Sequence, residues 1–510
     1  MPASIWSKFP QALALVAGLA SFGTATSSDE TPWPLQTYKS SSIKTPYLNV
    51  TKMGQTEPGF LFFAPQDIVR GIGHPSIYSD DGQLVWQGAN GNQSALQPQM
   101  LDGEPVIAYW EGYNGRGFGF GHISILNSSY DEIHRVTLDC KEQNIVTIFD
   151  PMSFNSCIDI HESQITDNGT ILVTAVNVTQ ADLSSVGGPK DGWIQDGIIY
   201  EIDIKTNEIL FRWSAYEHVD EVPMSYDIAP FGASGAGDGS TKADPWGYPH
   251  LNSIAKYGDN YLVSSRYMCS LFWIASDGSI DWHLHGRTGG DFNLTLDTSF
   301  CYQHDARIVS QTANTVTVGL HNNDNSDFTG STSYTTGMVI ELELQGSKKV
   351  TLKRRMWDAG DPVFAQSQGS YQSLENDHVL QYHGAVPKME EYDENGATVM
   401  RAWFGYDDET MQAYRAYRYP WIGHPSTKPD VVACPSGDKT AVYVSWNGAT
   451  DVESWKVYAG SQIKKTAQRS GFETTISING LSKGDTVVVE AVGGVGDGTR
   501  SVSARVGENC

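Results

Sequence analysis

Along most of this chain, apolar and polar residues alternate in short runs broken by Gly, Asn and Asp, the pattern of strands joined by tight turns. One unit recurs: a strand, a polar turn, and a second strand ending near an aromatic residue. It runs from Ile77 to Trp86, Ile123 to His134, Ile199 to Trp213, Leu271 to Trp282, Val339 to Trp357 and Met389 to Trp403. The second copy lacks the terminal Trp, so the repeat is divergent. Between these outer hairpins lies an inner one. Its copies from His161 and His250 align without gaps over their first residues, and looser copies start near Gln97, at His304 and near Ser370.

An inner plus an outer hairpin makes a four-stranded sheet, which cannot bury both faces alone but can do so stacked in a ring. The first unit opens at Gly59-Phe-Leu-Phe-Phe-Ala64, already a middle strand. The segment Tyr414–Trp421 is expected to supply its missing inner strand, since an open ring would leave sheet edges bare. Beyond residue 430 the rhythm changes to short alternating strands at Val442–Trp446, Trp455–Tyr458, Thr474–Ile478 and Thr486–Ala491. The pattern predicts an all-β chain. A six-bladed β-propeller over 58–424 is followed by a small immunoglobulin/fibronectin-III-like β-sandwich over 430–510.

The N-terminus changes the picture of where the chain works. Lys8, an apolar run from Phe9 to Ala20 and then small residues read as a signal peptide over 1–26, followed by an extension over 27–57. No later stretch is long and apolar enough to span a bilayer, so a secreted or lumenal protein is expected, with no membrane attachment after cleavage. Glycosylation acceptors at Asn49, Asn92, Asn127, Asn168, Asn177 and Asn293 agree. So do six cysteines, for which Cys140–Cys157, Cys269–Cys301 and Cys434–Cys510 are nearest-neighbour pairs among several open connectivities. A net charge of −25 argues against nucleic acid as a partner.

Candidate chemistry sits at the starts of the inner strands, which in a ring of blades face one shared axial space. His161, His250 and His304 hold that place in consecutive units. Asn252 lies two residues after His250, on the same side of its strand by alternation, and Arg266 ends the paired strand. Three imidazoles, an amide and a guanidinium form a site suited to an anionic ester. The loop His321-Asn-Asn-Asp-Asn-Ser-Asp327 does not have EF-hand spacing and reads as a solvated border of the site, so no metal is assigned. The Gly-rich runs 112–121 and 231–240 lack a P-loop ending and read as flexible connections between blades. His283 and His285 fall on an outer hairpin and read as surface or packing residues.

In Asp159-Ile-His-Glu162, His250-Leu-Asn-Ser-Ile254, Val263-Ser-Ser-Arg266 and Tyr302-Gln-His-Asp305 the sequence resembles the arylsulfotransferase family, most closely its fungal branch. The resemblance implies a six-bladed propeller and cofactor-free exchange of sulfuryl groups between phenols. It implies His304 as the nucleophile, Arg266, His250 and Asn252 on the sulfate oxygens, and His161 assisting proton transfer. The aromatic residues Trp246, Tyr248, Tyr267, Phe272, Trp273 and Tyr302 point to a flat aromatic or phenolic small molecule as partner, with Trp246, Tyr267 and Tyr302 as binding residues. Two alternatives stay open. One is a cofactor-free cyclase of secondary metabolism, joining a quinone methide to a terpene by hetero-Diels–Alder addition. The other is a non-enzymatic binding propeller.

Overall fold

The computed structural model describes residues 33–68, 72–148, 155–233, 235–325, 333–407 and 410–510; the expected signal peptide lies outside them. Among the described residues the chain is almost wholly β, and its helices are four single turns of 3-10 type.

Six sheets of antiparallel strands follow one another. The second runs from Gln93–Leu101 to Glu132–Val136, and the third from Ser163–Ile165 to Ile209–Ser214. The fourth runs from Leu251–Tyr257 to Ile280–His285, the fifth from His304–Gln311 to Val350–Met356, and the sixth from Ser370–Ser373 to Thr398–Trp403. The first is completed by the far end of the ring. Ala416–Tyr419 pairs with Phe60–Phe63, Tyr417 opposite Phe62, and the sheet continues to Ser76–Tyr78 and Leu84–Gln87. Asn49–Lys52 adds an outer fifth strand to the sixth sheet.

Each sheet touches the next and the sixth touches the first. A lone four-stranded sheet would expose one apolar face, and the ring removes both faces from water. The packing follows this requirement, because an apolar core fills every junction. Leu172 and Ile254 share one core between the third and fourth sheets, and Leu271 and Val318 share another between the fourth and fifth. The remaining junctions have theirs too. The Trp that ends an outer hairpin reaches the next sheet. Trp213 donates its indole N–H to Gly278 O at 3.1 Å, and Trp86 stacks on Tyr130 at 4.8 Å.

Beyond residue 429, Asp430–Ser436, Lys439–Ser445 and Glu473–Asn479 form one sheet. Gln462–Gln468, Ser454–Ala459, Thr486–Val492 and Ala504–Arg505 form another, and the two share a core around Val442, Trp455 and Val489. The period-two rule holds in Glu473–Asn479, where Thr474, Ile476 and Ile478 are buried and Thr475, Ser477 and Asn479 are exposed.

The disulfides are Cys140–Cys157, Cys269–Cys301 and Cys434–Cys510. Of the acceptor asparagines, Asn49, Asn92, Asn168 and Asn293 are exposed, and Asn127 and Asn177 are partly so. The Gly-rich run 112–121 departs from expectation, being the tip of a hairpin within the second sheet, formed by Glu104–Gly115 and Phe118–Leu126. Its glycines answer to close packing. A Cβ on Gly121 would stand 2.2 Å from Glu111 O, and one on Gly119 would stand 2.6 Å from the Trp110 ring. His283 packs between Phe272 and Tyr226, with ring centroids at 4.7 and 5.0 Å.

Candidate active site

The inner edge of the ring gathers the three histidines. His161 stands two residues ahead of the strand Ser163–Ile165, His250 immediately ahead of Leu251–Tyr257, and His304 begins His304–Gln311. All three line a cavity of about 290 Å³ together with Arg266 and Tyr267. Arg266 is set by its backbone, whose N–H donates to His250 O at 2.8 Å. Its guanidinium lies 4.4 Å from the Tyr302 ring centroid and donates from Nη2 to Gln366 O at 3.2 Å. Among the described residues lining the cavity there is no carboxylate, and Arg266 is the one formal charge. In a chain of net charge −25 this makes a local seat for an anion.

Hydrogen bonds fix the rings. Asn323 donates from Nδ2 to Ala365 O and Gln368 O, at 2.9 and 3.2 Å, so its Oδ1 must accept from Nδ1–H of His304, at 2.7 Å. The lone pair of His304 is therefore on Nε2, where it accepts the Gln368 amide at 3.1 Å. His161 points Nδ1 at Asp159 Oδ2, which also accepts the Thr174 hydroxyl at 3.1 Å, while Asp159 Oδ1 accepts the Gly119 amide at 2.7 Å. Nε2 of His161 meets Nε2 of His250 at 3.0 Å. Tyr302 and Asp305, on either side of His304, have φ of +53° and +51°. Two non-glycine residues in the left-handed region mark a locally strained backbone at the site.

Burial, reinforced by Arg266 and neighbouring histidines, pushes His250 and His304 well below the ordinary imidazole value. Burial does the same to His321 and brings His283 to about 4. The unfolded chain would protonate these groups at about 6.5 while the folded chain does not, so folding stability falls as pH drops below that value. The carboxyls of Asp196, raised to about 7, Asp227 and Asp430 oppose this, while burial also lowers His74, His122 and His285, so three groups stand against seven. Thermal unfolding at about pH 4.5 is therefore expected several degrees below that at about pH 7.5. An equal or higher midpoint in acid would contradict the neutral-histidine assignment.

Beneath the cavity lies a buried ion network. Glu162 Oε1 accepts Nη1 of Arg415 at 3.0 Å and Nη2 of Arg307 at 3.1 Å. Asp305 accepts Nε of Arg307 at 2.8 Å, and Arg415 donates from Nη2 to Asn252 O at 2.8 Å. Three of its four charged groups follow a cavity residue in sequence, Glu162 after His161, Asp305 after His304 and Arg415 after Tyr414, and Arg307 lies two residues beyond Asp305. With the Asn252 carbonyl, the network thus ties the first, third, fourth and fifth sheets together under the site.

Not every expected residue reaches the cavity. Asn252 does not, because the pairing of Leu251–Tyr257 slips between Leu251 and Ser253 and breaks the two-residue alternation. Its Nδ2 donates instead to Gln303 O, at 2.6 Å, next to His304. Trp246 is buried between the third and fourth sheets with its indole N–H on Ala229 O, and Tyr302 lies behind Arg266. Tyr248, Phe272 and Trp273 also pack within cores rather than on the cavity. Sequence reasoning missed Tyr414 and Gln368 on the cavity wall. Each stands two residues ahead of an inner strand, as His161 does, and counting back along the repeat would have found them. The 321–325 part of the polar loop contributes Asn323; residues 326 and 327 lie outside the described residues. Among the described residues no acidic, His or Cys cluster of metal-binding geometry occurs.

A comparison with curated proteins found no match. Solved structures give faint likenesses. A virginiamycin B lyase from Staphylococcus aureus is 10% identical over 79% of this chain and 97% of its own, with a TM-score of 0.32. A streptogramin B lyase is 8% identical over 71% and 89%, with a TM-score of 0.33. AztD from Citrobacter koseri is 10% identical over 86% and 99%, with a TM-score of 0.24. Likenesses this faint say nothing of activity. The sequence profile of the arylsulfotransferase (ASST) family, by contrast, matches residues 97–405, more than half of the chain and the stretch that carries His161, His250, Arg266 and His304. The chain belongs to the arylsulfotransferase family.

Proposed function

We propose that the six sheets are the blades of a β-propeller over 58–424, and that residues 430–510 form a fibronectin-III-like sandwich. In this reading the cavity transfers sulfuryl groups from aryl sulfates to phenols through His304. The observation that carries it is the His304 ring: neutral, with its lone pair on Nε2, in a cavity whose one formal charge among the described lining residues is Arg266.

Nε2 attacks the sulfur, the S–O bond to the aryl group breaks, and the phenolate departs with the bonding pair. An acceptor phenol then attacks the sulfur, the N–S bond breaks, and its pair returns to Nε2. A neutral imidazole suits both steps as nucleophile and leaving group. Arg266 offsets the charge on the sulfuryl oxygens. The Gln368 amide now engages the attacking lone pair, so substrate must displace it. The Asn252 side chain bears on this site through the Gln303 carbonyl.

The cavity narrows the substrate. Its wall mixes amide and hydroxyl groups, including Gln66, Ser94, Asn114 and Gln412, with the three imidazoles and the Tyr267 and Tyr414 rings. A volume of about 290 Å³ suits one ring bearing a sulfate. With a phenol acceptor, nitrophenyl sulfate is expected to exceed a polycyclic aryl sulfate in kcat/KM by at least about tenfold. Equal turnover of the two would refute the size limit, and turnover of neither would refute sulfuryl transfer.

The fungal branch and a secretory location belong to the same proposal. The four motifs quoted above support the first. Three disulfides and the exposed sequons support the second. Among the described residues no helix is long and apolar enough to cross a membrane.

A further inference from the structure

We infer that Asp159, His161 and His250 act as one proton relay serving the phenol oxygen, with Asp159 as its positioning residue. The inference rests on sulfuryl transfer at His304 and adds where the phenolic proton goes.

The chain of contacts is continuous. Asp159 is 1% exposed and holds Nδ1–H of His161 on Oδ2. That leaves the His161 lone pair on Nε2, where Nε2–H of His250 donates at 3.0 Å. The free end is Nδ1 of His250, buried and without a partner, on a ring that lines the cavity. The rings cross nearly edge to face, with centroids 4.6 Å apart and planes at 80°, and Phe118 packs against both. The charged and titratable groups facing this pair are Asp159, Arg266, His304, Tyr267 and Tyr414.

In the acceptor half-reaction the phenol proton moves to Nδ1 of His250 as the oxygen attacks sulfur. The His250 Nε2 proton moves in turn to Nε2 of His161. The added charge thus rests on His161 beside the Asp159 carboxylate. His250 cannot hold it, because burial, His161 and Arg266 all disfavour its charged form. In the donor half-reaction the relay is neutral and the phenolate leaves unprotonated; once the acceptor's proton is on the relay, the two transfers reverse and hand it to that phenolate or to water. The two halves together conserve the proton.

The test compares wild type with Asp159→Asn. Nitrophenyl sulfate has a leaving oxygen that needs little protonation, so the first-turnover release of nitrophenol is expected to fall less than about tenfold. Transfer to unactivated phenol needs the relay and is expected to fall about 10²–10⁴-fold, with the loss growing as the acceptor's pKa rises. A uniform loss in both half-reactions, or no loss with unactivated phenol, overturns the relay. Wild type that turns over no aryl sulfate overturns the parent reading as well, which separates the two failures. Nitrogen-15 spectra of the wild-type imidazoles give a check independent of turnover and of variant folding. Nδ1–H on His161 is expected, and Nε2–H with a bare Nδ1 overturns the relay.

Discussion

His304→Ala is expected to lower sulfuryl transfer from an aryl sulfate by at least about 10⁴-fold, with no covalent intermediate left to form. The substitution removes the atom that bonds to sulfur, so an improved leaving group should not rescue it. It also leaves Asn323 Oδ1 and the Gln368 amide without their present partner, at a stability cost of about 1–3 kcal/mol. That cost is small for a ring with a core at every junction, so the variant should fold. Near-UV circular dichroism checks the fold, and nitrophenol release checks the activity. A folded variant with unchanged turnover would remove His304 from the mechanism.

The second large effect is on stability. Arg415 is 2% and Glu162 1% exposed, and they meet at 3.0 Å. Arg415→Met leaves Asn252 O without that donor and Glu162 with half of its compensation. Removing one partner of a buried pair costs about 3–5 kcal/mol, because the remaining charge stays buried. The double variant Arg415→Met with Glu162→Gln removes both charges together and should cost clearly less than the sum of the single changes. Additive losses in denaturant unfolding would show that the pair is not coupled. Transfer activity should fall with stability, since Tyr414 and His161 are adjacent to these residues on the cavity wall.

The frame of this site was legible in the sequence because a repeat announces equivalent positions. Counting from the inner strands put His161, His250 and His304 in one place, and the apolar segment after Tyr414 supplied the strand that pairs with Phe60–Phe63. What escaped were departures from strict periodicity. The slip at Asn252 is a single unpaired residue, and alternation read along one strand cannot reveal it. Of the aromatic residues near the histidines in sequence, Trp246, Tyr248, Phe272 and Trp273 face the junctions between sheets and Tyr267 reaches the cavity, so a wall expected to be aromatic mixes imidazole, tyrosine, amide and hydroxyl groups. The cyclase alternative needed an apolar pocket, and the lining does not favour it. Arg415, one residue ahead of the closing strand Ala416–Tyr419, carried a usable signal with Arg418 within it, since a charged side chain among Ala and Tyr residues that are buried has to find a partner.

The most direct measurement is the mass of the His304 peptide after the protein meets an aryl sulfate with no acceptor present. One acid-labile sulfuryl group is expected on that peptide, lost when phenol is added and absent from His304→Ala. Turnover of the donor by wild type with no adduct at His304, or an adduct that persists in the variant, would contradict transfer through this histidine.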